Sequence, residues 1–244
     1  MLVCAPTGAA KTNIALLTIL NVFSKYINRK GVLNLNKFKI VYLAPMKALV
    51  GEMILTFTQR LKYYGITVRE LTGDSQLSKE QIDSTQLIIA TPDKWNIITR
   101  KAGDRTYTEL VRLLIIDEIH LLHDQRGPVL EALVARTIRM TEQTQENVRI
   151  VGLSATLPNF ADVQNFLRVR PLNKKDNTGG MFFFDHTYRP VPLQQSFTGI
   201  SEKKAAKRML LTNQILEGSN AEEILKKAAE NIVCFRKKCS LNNF

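Results

Sequence analysis

Short β-branched runs alternate with longer amphipathic stretches through the first two thirds of the chain. "LVCA" (2–5) reads as the end of a strand, and residues 11–28 carry apolar side chains at helical spacing. "KIVYLA" (39–44) is a strand, 47–63 a helix, and "TVRELT" (67–72) a strand. "QLIIAT" (86–91) is a strand followed by a short helix from Asp93. "RLLIID" (112–117) is apolar on both faces, 127–146 reads as a long helix, and "VRIVGLSA" (148–155) is a further strand. Strands that are apolar throughout and alternate with helices predict an α/β domain, a mainly parallel sheet with helices on both faces. Its crossovers are expected to be right-handed. Beyond Ala155 the pattern loosens. A helix near 160–168 leads into a Lys/Asn/Gly-rich loop, then strand candidates at 181–185 and 191–197 and helices at 202–217 and 221–231. There is no internal repeat and no low-complexity tract.

Composition narrows this picture. The 244 residues are 45% hydrophobic, enough for a buried core in one α/β domain. No apolar run approaches the roughly 18 residues of a membrane span, so no membrane partner is expected. The start lacks the basic and apolar regions of a signal peptide. Cys4, Cys234 and Cys239 are too few and too scattered for a disulfide framework or a zinc site, which suits a reducing compartment, cytosol or nucleus. The net charge of +12 points to a polyanionic partner such as nucleic acid, although a solvated basic surface gives the same sum.

Residues 5–12, "APTGAAKT", carry the first candidate chemistry. Lys11 and Thr12 close the phosphate-loop pattern G-x-x-x-x-G-K-[ST], but Ala5 and Ala10 stand where that pattern has glycine. The order strand, loop, helix would aim backbone N–H groups and a helix N-terminus at phosphates. Ala5, Pro6, Thr7, Gly8, Ala9, Ala10, Lys11 and Thr12 would then bind ATP. Lys11 would reach its β- and γ-phosphates, and the Thr12 hydroxyl would hold Mg²⁺. A plain strand–loop–helix with a chance Lys-Thr pair is the alternative. The second constellation decides between them. "LLIIDEIH" (113–120) ends an apolar strand in two acids, at the edge where α/β sheets bind ligands. Asp117 is the expected metal partner and Glu118 the general base that orients the attacking water.

"APTGAAKT", "APMKALV" (44–50), "LTGD" (71–74), "TPDKW" (91–95), "DEIH" (117–120) and "LSATLPN" (153–159) occur in the order and spacing of superfamily 2 helicases. Longer strings, such as "FKIVYLAPMKALV" and "LVRLLIIDEIHLLHDQRGPVLEALVART", make the chain similar to the first helicase cassette of the large spliceosomal helicases, which unwind paired small nuclear RNAs. The resemblance covers about residues 2–216 and implies a RecA-like P-loop NTPase fold. It implies that Pro45, Met46, Lys47, Gly73, Asp74, Thr91 and Pro92 contact one RNA strand through its phosphates. That suits the physics, because phosphate contacts position a strand without reading sequence. It also implies that His120, Ser154 and Thr156 couple the ATP site to the strand-binding face. Trp95 reads as a packing residue, and His123 and His186 as structural or surface residues.

The resemblance further implies a second RecA-like lobe and spliceosomal proteins as partners, and a nuclear location. Residues 1–200 read as the first RecA-like lobe, beginning inside its first strand. Residues 201–244 read as a helical extension and basic tail leading towards the second lobe. Ala10 departs from the family. The glycine expected before the lysine lets the backbone turn tightly, and if that turn is left-handed, alanine is strained there. Two rival readings stand beside the helicase lobe: a scaffold that binds nucleotide or RNA without turnover, and a related helicase of RNA decay or DNA repair.

Overall fold

The computed structural model describes residues 1–72, 78–100, 108–144, 147–170, 179–191, 201 and 203–217. Contacts divide the chain into two units, Met1–Tyr188 and Arg189–Phe244. Among the described residues, the first holds seven strands: β1 (Leu2–Cys4), β2 (Lys39–Leu43), β3 (Val68–Leu71), β4 (Leu87–Ala90), β5 (Val111–Ile116), β6 (Arg149–Ser154) and β7 (Met181–Phe183). They form one sheet in the order β3-β4-β2-β5-β6-β1-β7, and every pairing is parallel. Its helices are α1 (Lys11–Tyr26), α2 (Lys47–Leu61), α3 (Lys79–Asp83), α4 (Pro92–Arg100), α5 (Gly127–Thr144) and α6 (Phe160–Phe166). In the second unit, the described helix is α7 (Ala205–Glu217), and the Arg189 Nε donates to the Val191 carbonyl at 2.8 Å.

The period of two along a strand explains why the central strands read as unbroken apolar runs. Ile40 and Tyr42 of β2, Leu113 and Ile115 of β5, and Leu87 and Ile89 of β4 face one core, with Ile19, Phe23, Val50 and Phe57 from α1 and α2. Val41, Leu43, Leu114, Ile116, Ile88 and Ala90 face the other, with Trp95, Leu130, Leu133 and Val163 from α4, α5 and α6. Both faces are therefore buried, at roughly 1.5–3 kcal/mol for each large apolar side chain taken from water. Trp95 packs inside this second core.

The expected strands are present within the described residues, most of them shortened by a residue or two at their ends; the one expected at 112–117 is instead shifted one residue earlier, to Val111–Ile116. The helix expected over 11–28 stops at Tyr26. There Ile27 turns extended, and the Asn28 Oδ1 accepts the N–H groups of Lys30 and Val32 at 2.9 and 3.0 Å. The helix expected from Asp93 begins one residue earlier, at Pro92, which suits a first helical position. Helix α3 and a 3-10 turn at Ile119–His123 have no counterpart in the pattern reading. The strand candidate at 191–197, apart from Val191, and the helix candidate at 221–231 lie outside the described residues, as do Cys234 and Cys239.

Candidate active site

Because all seven strands run the same way, their C-terminal ends share one edge of the sheet. Each motif follows a strand end there. Residues 5–10 follow β1, Ala44–Met46 follow β2, and Thr91 follows β4. Asp117 and Glu118 follow β5, and Ala155 and Thr156 follow β6. Backbone bonds lace these ends together. The Ala5 N–H donates to the Ser154 carbonyl at 3.0 Å, that of Ala44 to Ala90 at 2.9 Å, and that of Asp117 to Leu43 at 2.9 Å.

The 5–12 loop leaves β1 buried at Ala5 and Pro6 and surfaces at Thr7, Gly8 and Ala10, with Ala9, Lys11 and Thr12 half-buried. Two residues turn it through the left-handed region: Gly8 at φ 87 and Ala10 at φ 58, ψ 34. Ala10 caps α1 without a side-chain bond, so the helix presents its N-terminal N–H groups unblocked by any side chain. The Lys11 ammonium lies back across the loop, 3.2 Å from the Ala5 carbonyl.

The acid pair is held differently at its two members. Asp117 accepts the Glu118 N–H on Oδ1 at 3.0 Å and the Tyr42 hydroxyl on Oδ2 at 2.6 Å, so its carboxylate plane is set from both sides. Burial and the neighbouring Asp117 carboxylate push the Tyr42 phenol pKa upward, which keeps it a donor. Glu118 sits in the left-handed region at φ 49, ψ 47, a rare conformation for a residue with this side chain. Its Oε2 is buried, 3.3 Å from the His120 Nδ1. That nitrogen also accepts the Ala155 N–H at 3.3 Å. Oε2 is left without a hydrogen bond among the described residues, as is the buried Ser154 Oγ.

Farther along the edge, Pro45 is buried while Met46 and Lys47 are exposed at the start of α2. Thr91 and Pro92 are buried where α4 begins. Met46, Lys47, Thr91, Asp93, Lys94, Ile97 and Arg126 line a cavity of about 350 Å³, three cations against one acid. A neighbouring cavity of about 400 Å³ takes in Pro45, Pro92, Asp117, Glu118, Leu121 and Arg126. Gly73 and Asp74 lie outside the described residues.

Residues 1–164 match the DEAD/DEAH box helicase family. The chain belongs to that family. It is 58% identical over 233 residues to the U5 small nuclear ribonucleoprotein 200 kDa helicase of Homo sapiens, across 96% of this chain and 10% of that protein. It is 61% identical over 216 residues to the protein of the same name in Drosophila melanogaster, across 88% of this chain and 10% of that one. The pre-mRNA-splicing factor brr2 of Schizosaccharomyces pombe is 57% identical over 233 residues, again across 96% of this chain and 10% of its own length. The chain thus spans about a tenth of the length of these relatives. Among solved structures, the DUF1998 helicase MrfA bound to DNA superposes with a TM-score of 0.61 at 17% identity, over 89% of this chain and 30% of that one. At that identity the likeness concerns the fold alone; the α/β architecture is the one expected from the pattern, and the RecA-like form is the one the family resemblance implies.

DEAD/DEAH box helicases use ATP, generally with Mg²⁺, and the residues present fit that pair. Thr12 and Asp117 offer hard oxygen donors, and the uncapped start of α1 suits phosphate. No cluster of three or more acidic, His or Cys side chains able to hold a metal occurs among the described residues, so nucleotide phosphates and water would complete the Mg²⁺ shell. Sequence reasoning passed over Tyr42, Lys94 and Arg126. Tyr42 reads as one more apolar position of a buried strand, and its hydroxyl meets Asp117 only because β2 and β5 are neighbours. Arg126 was visible only as part of "HDQRGP", a string with no residue role attached.

Proposed function

We propose that this chain is the first motor lobe of an ATP-dependent RNA helicase of pre-mRNA splicing. It would act in the nucleus on paired small nuclear RNAs, with a second RecA-like lobe and spliceosomal proteins as partners. Residues 1–200 form the lobe in this reading, and 201–244 lead away from it. The observation that carries the proposal is Glu118, whose buried carboxylate oxygen has no hydrogen bond among the described residues, on a strained backbone next to an aspartate oriented from both sides. Strain of this kind collects at functional sites, and a carboxylate beside the metal-binding aspartate suits a base that orients water. The names of relatives 57–61% identical support the splicing assignment over RNA decay or DNA repair.

ATP with Mg²⁺ supplies the transferable phosphoryl group and neutralises charge on it. With that group bound, Lys11 would be the residue to meet its phosphate oxygens, Thr12 and Asp117 would hold the metal, and Glu118 would orient the attacking water. Pro45, Met46, Lys47, Gly73, Asp74, Thr91 and Pro92 take RNA phosphates. His120, Ser154 and Thr156 link the two sites, with the Ala155–His120 bond as the joint. The non-turnover scaffold is the second reading, and the left-handed Ala10 favours it, because a strained loop binds phosphate less well. Binding of a fluorescent ATP analogue separates the two. The natural chain is expected to bind it in a Mg²⁺-dependent way, Lys11→Ala to bind worst, and Asp117→Asn to lose the Mg²⁺ dependence. Binding that ignores both substitutions and Mg²⁺ would end the motor reading.

A further inference from the structure

Arg126 stands outside every role assigned above, yet its side chain reaches both cavities of the site edge. Its guanidinium donates through Nη1 to the carbonyl of Pro45, a buried residue 81 positions earlier in the chain. The residue is placed tightly. The N–H of Asp124 donates to Leu121 at 3.0 Å, and that of Gly127 to Asp124 at 2.8 Å. A Cβ on Gly127 would lie 2.0 Å from the Leu122 carbonyl oxygen, so only glycine lets α5 start here. Val129 and Leu130 donate their N–H groups to the Arg126 carbonyl, which fixes the arginine at the helix start.

Two bonds therefore bracket the same segment. The Asp117 N–H holds Leu43, and Arg126 holds Pro45 two residues on. The chain between Asp117 and Arg126 is a 3-10 turn locked by its own backbone bonds. Arg126 thus ties Pro45 to the turn that follows the acids. Pro45 leads directly into Met46, whose carbonyl accepts the N–H groups of Leu49 and Val50 and so starts α2. An arginine has five donors in a rigid fork, so it can keep this carbonyl and still face a phosphate beside Lys47 and Lys94.

We infer that Arg126 is a positioning residue: it fixes the strand-binding turn Pro45–Lys47 to the acid-bearing end of β5 and adds a guanidinium to the adjoining phosphate cavity. The second half rests on the RNA-binding reading above, whereas the first half does not. The test compares the 244-residue chain with Arg126→Gln, Arg126→Lys and Lys47→Ala. Three quantities are read: anisotropy of a labelled single-stranded RNA at several salt concentrations, nucleotide affinity, and amide hydrogen exchange at Leu49 and Val50. For Arg126→Gln, exchange at both amides should quicken at least several-fold, and RNA should bind about tenfold more weakly. The salt slope should shrink by about 0.7, one phosphate contact on a single strand. Nucleotide affinity should stay within about twofold. Arg126→Lys should keep the salt slope, because the charge remains, but not the slow exchange, because the fork is lost. Unchanged exchange in Arg126→Gln overturns the hold on Pro45. A full salt slope in that variant, with the slope of Lys47→Ala reduced, overturns the phosphate contact. If the natural chain binds no RNA, the RNA-binding reading falls with the phosphate contact, and exchange alone still decides the hold on Pro45.

Discussion

Ala10 is left-handed at the head of α1, so the fold carries its strain. A left-handed alanine is disfavoured by about 1–2 kcal/mol. Glycine removes that term but loses more chain entropy on folding, by roughly 0.5–1 kcal/mol. Ala10→Gly should therefore stabilise the protein by about 0.5–1 kcal/mol net, a rise in Tm of a few degrees at about 2–4 °C per kcal/mol for a chain of this size. Mg-ATP should bind several-fold tighter to the glycine form, within the tenfold that about 1.4 kcal/mol of relieved strain would give. Thermal melts and titrations of both forms check this, and a fall in Tm would refute the strain. The left-handed requirement itself was readable as a condition from the K-T pair, since the pattern asks for glycine there. Glu118 was also legible, as the second acid after an apolar strand. Its left-handed backbone and unpaired oxygen were not, because they arise from the turn into Ile119–His123 and from the fold of β6 beside it.

At the scale of elements, the turn between the acids and α5 is the part most sensitive to size. Gly127 packs its Cα side against the Leu122 carbonyl, a backbone atom that cannot rotate away. Gly127→Ala should cost about 1–3 kcal/mol or more, as overpacked sites do. A lower urea midpoint with an unchanged slope would show it. A stability equal to the natural chain's would mean that α5 can start elsewhere. Helix α3 shows a different limit of the sequence. Its five residues are too few for an apolar period to register, although Ser78 and Gln81 form a capping box that the string S-x-x-Q announces. Lys39 was unreadable in another way. It looks like the polar edge of a strand, but it is buried and donates to the carbonyls of Asp83 and Thr85, which ties β2 to the end of α3.

For the whole molecule, the net charge of +12 and the cluster of Lys47, Lys94 and Arg126 on one cavity predict how nucleic acid binds. Single-stranded RNA should bind weakly and without sequence preference, and log affinity should fall linearly with log salt, by about 0.7 per phosphate contact. Affinity indifferent to salt, or a strong preference for one sequence in titrations of several oligonucleotides, would contradict this. What the amino-acid order determined by itself is local. Period-two and helical spacing placed the strands and the longer helices, apolar runs on both faces implied a parallel sheet, and short strings placed the phosphate loop and the acid pair. These properties follow from neighbours along the chain. The sheet order, with β1 between β6 and β7, was decided only by tertiary structure, because it depends on which buried faces fit together. That order puts Tyr42 beside Asp117, His120 beside Ala155 and Arg126 beside Pro45. Each pair joins residues far apart in sequence, and no periodicity or spacing carries information about a contact made by packing.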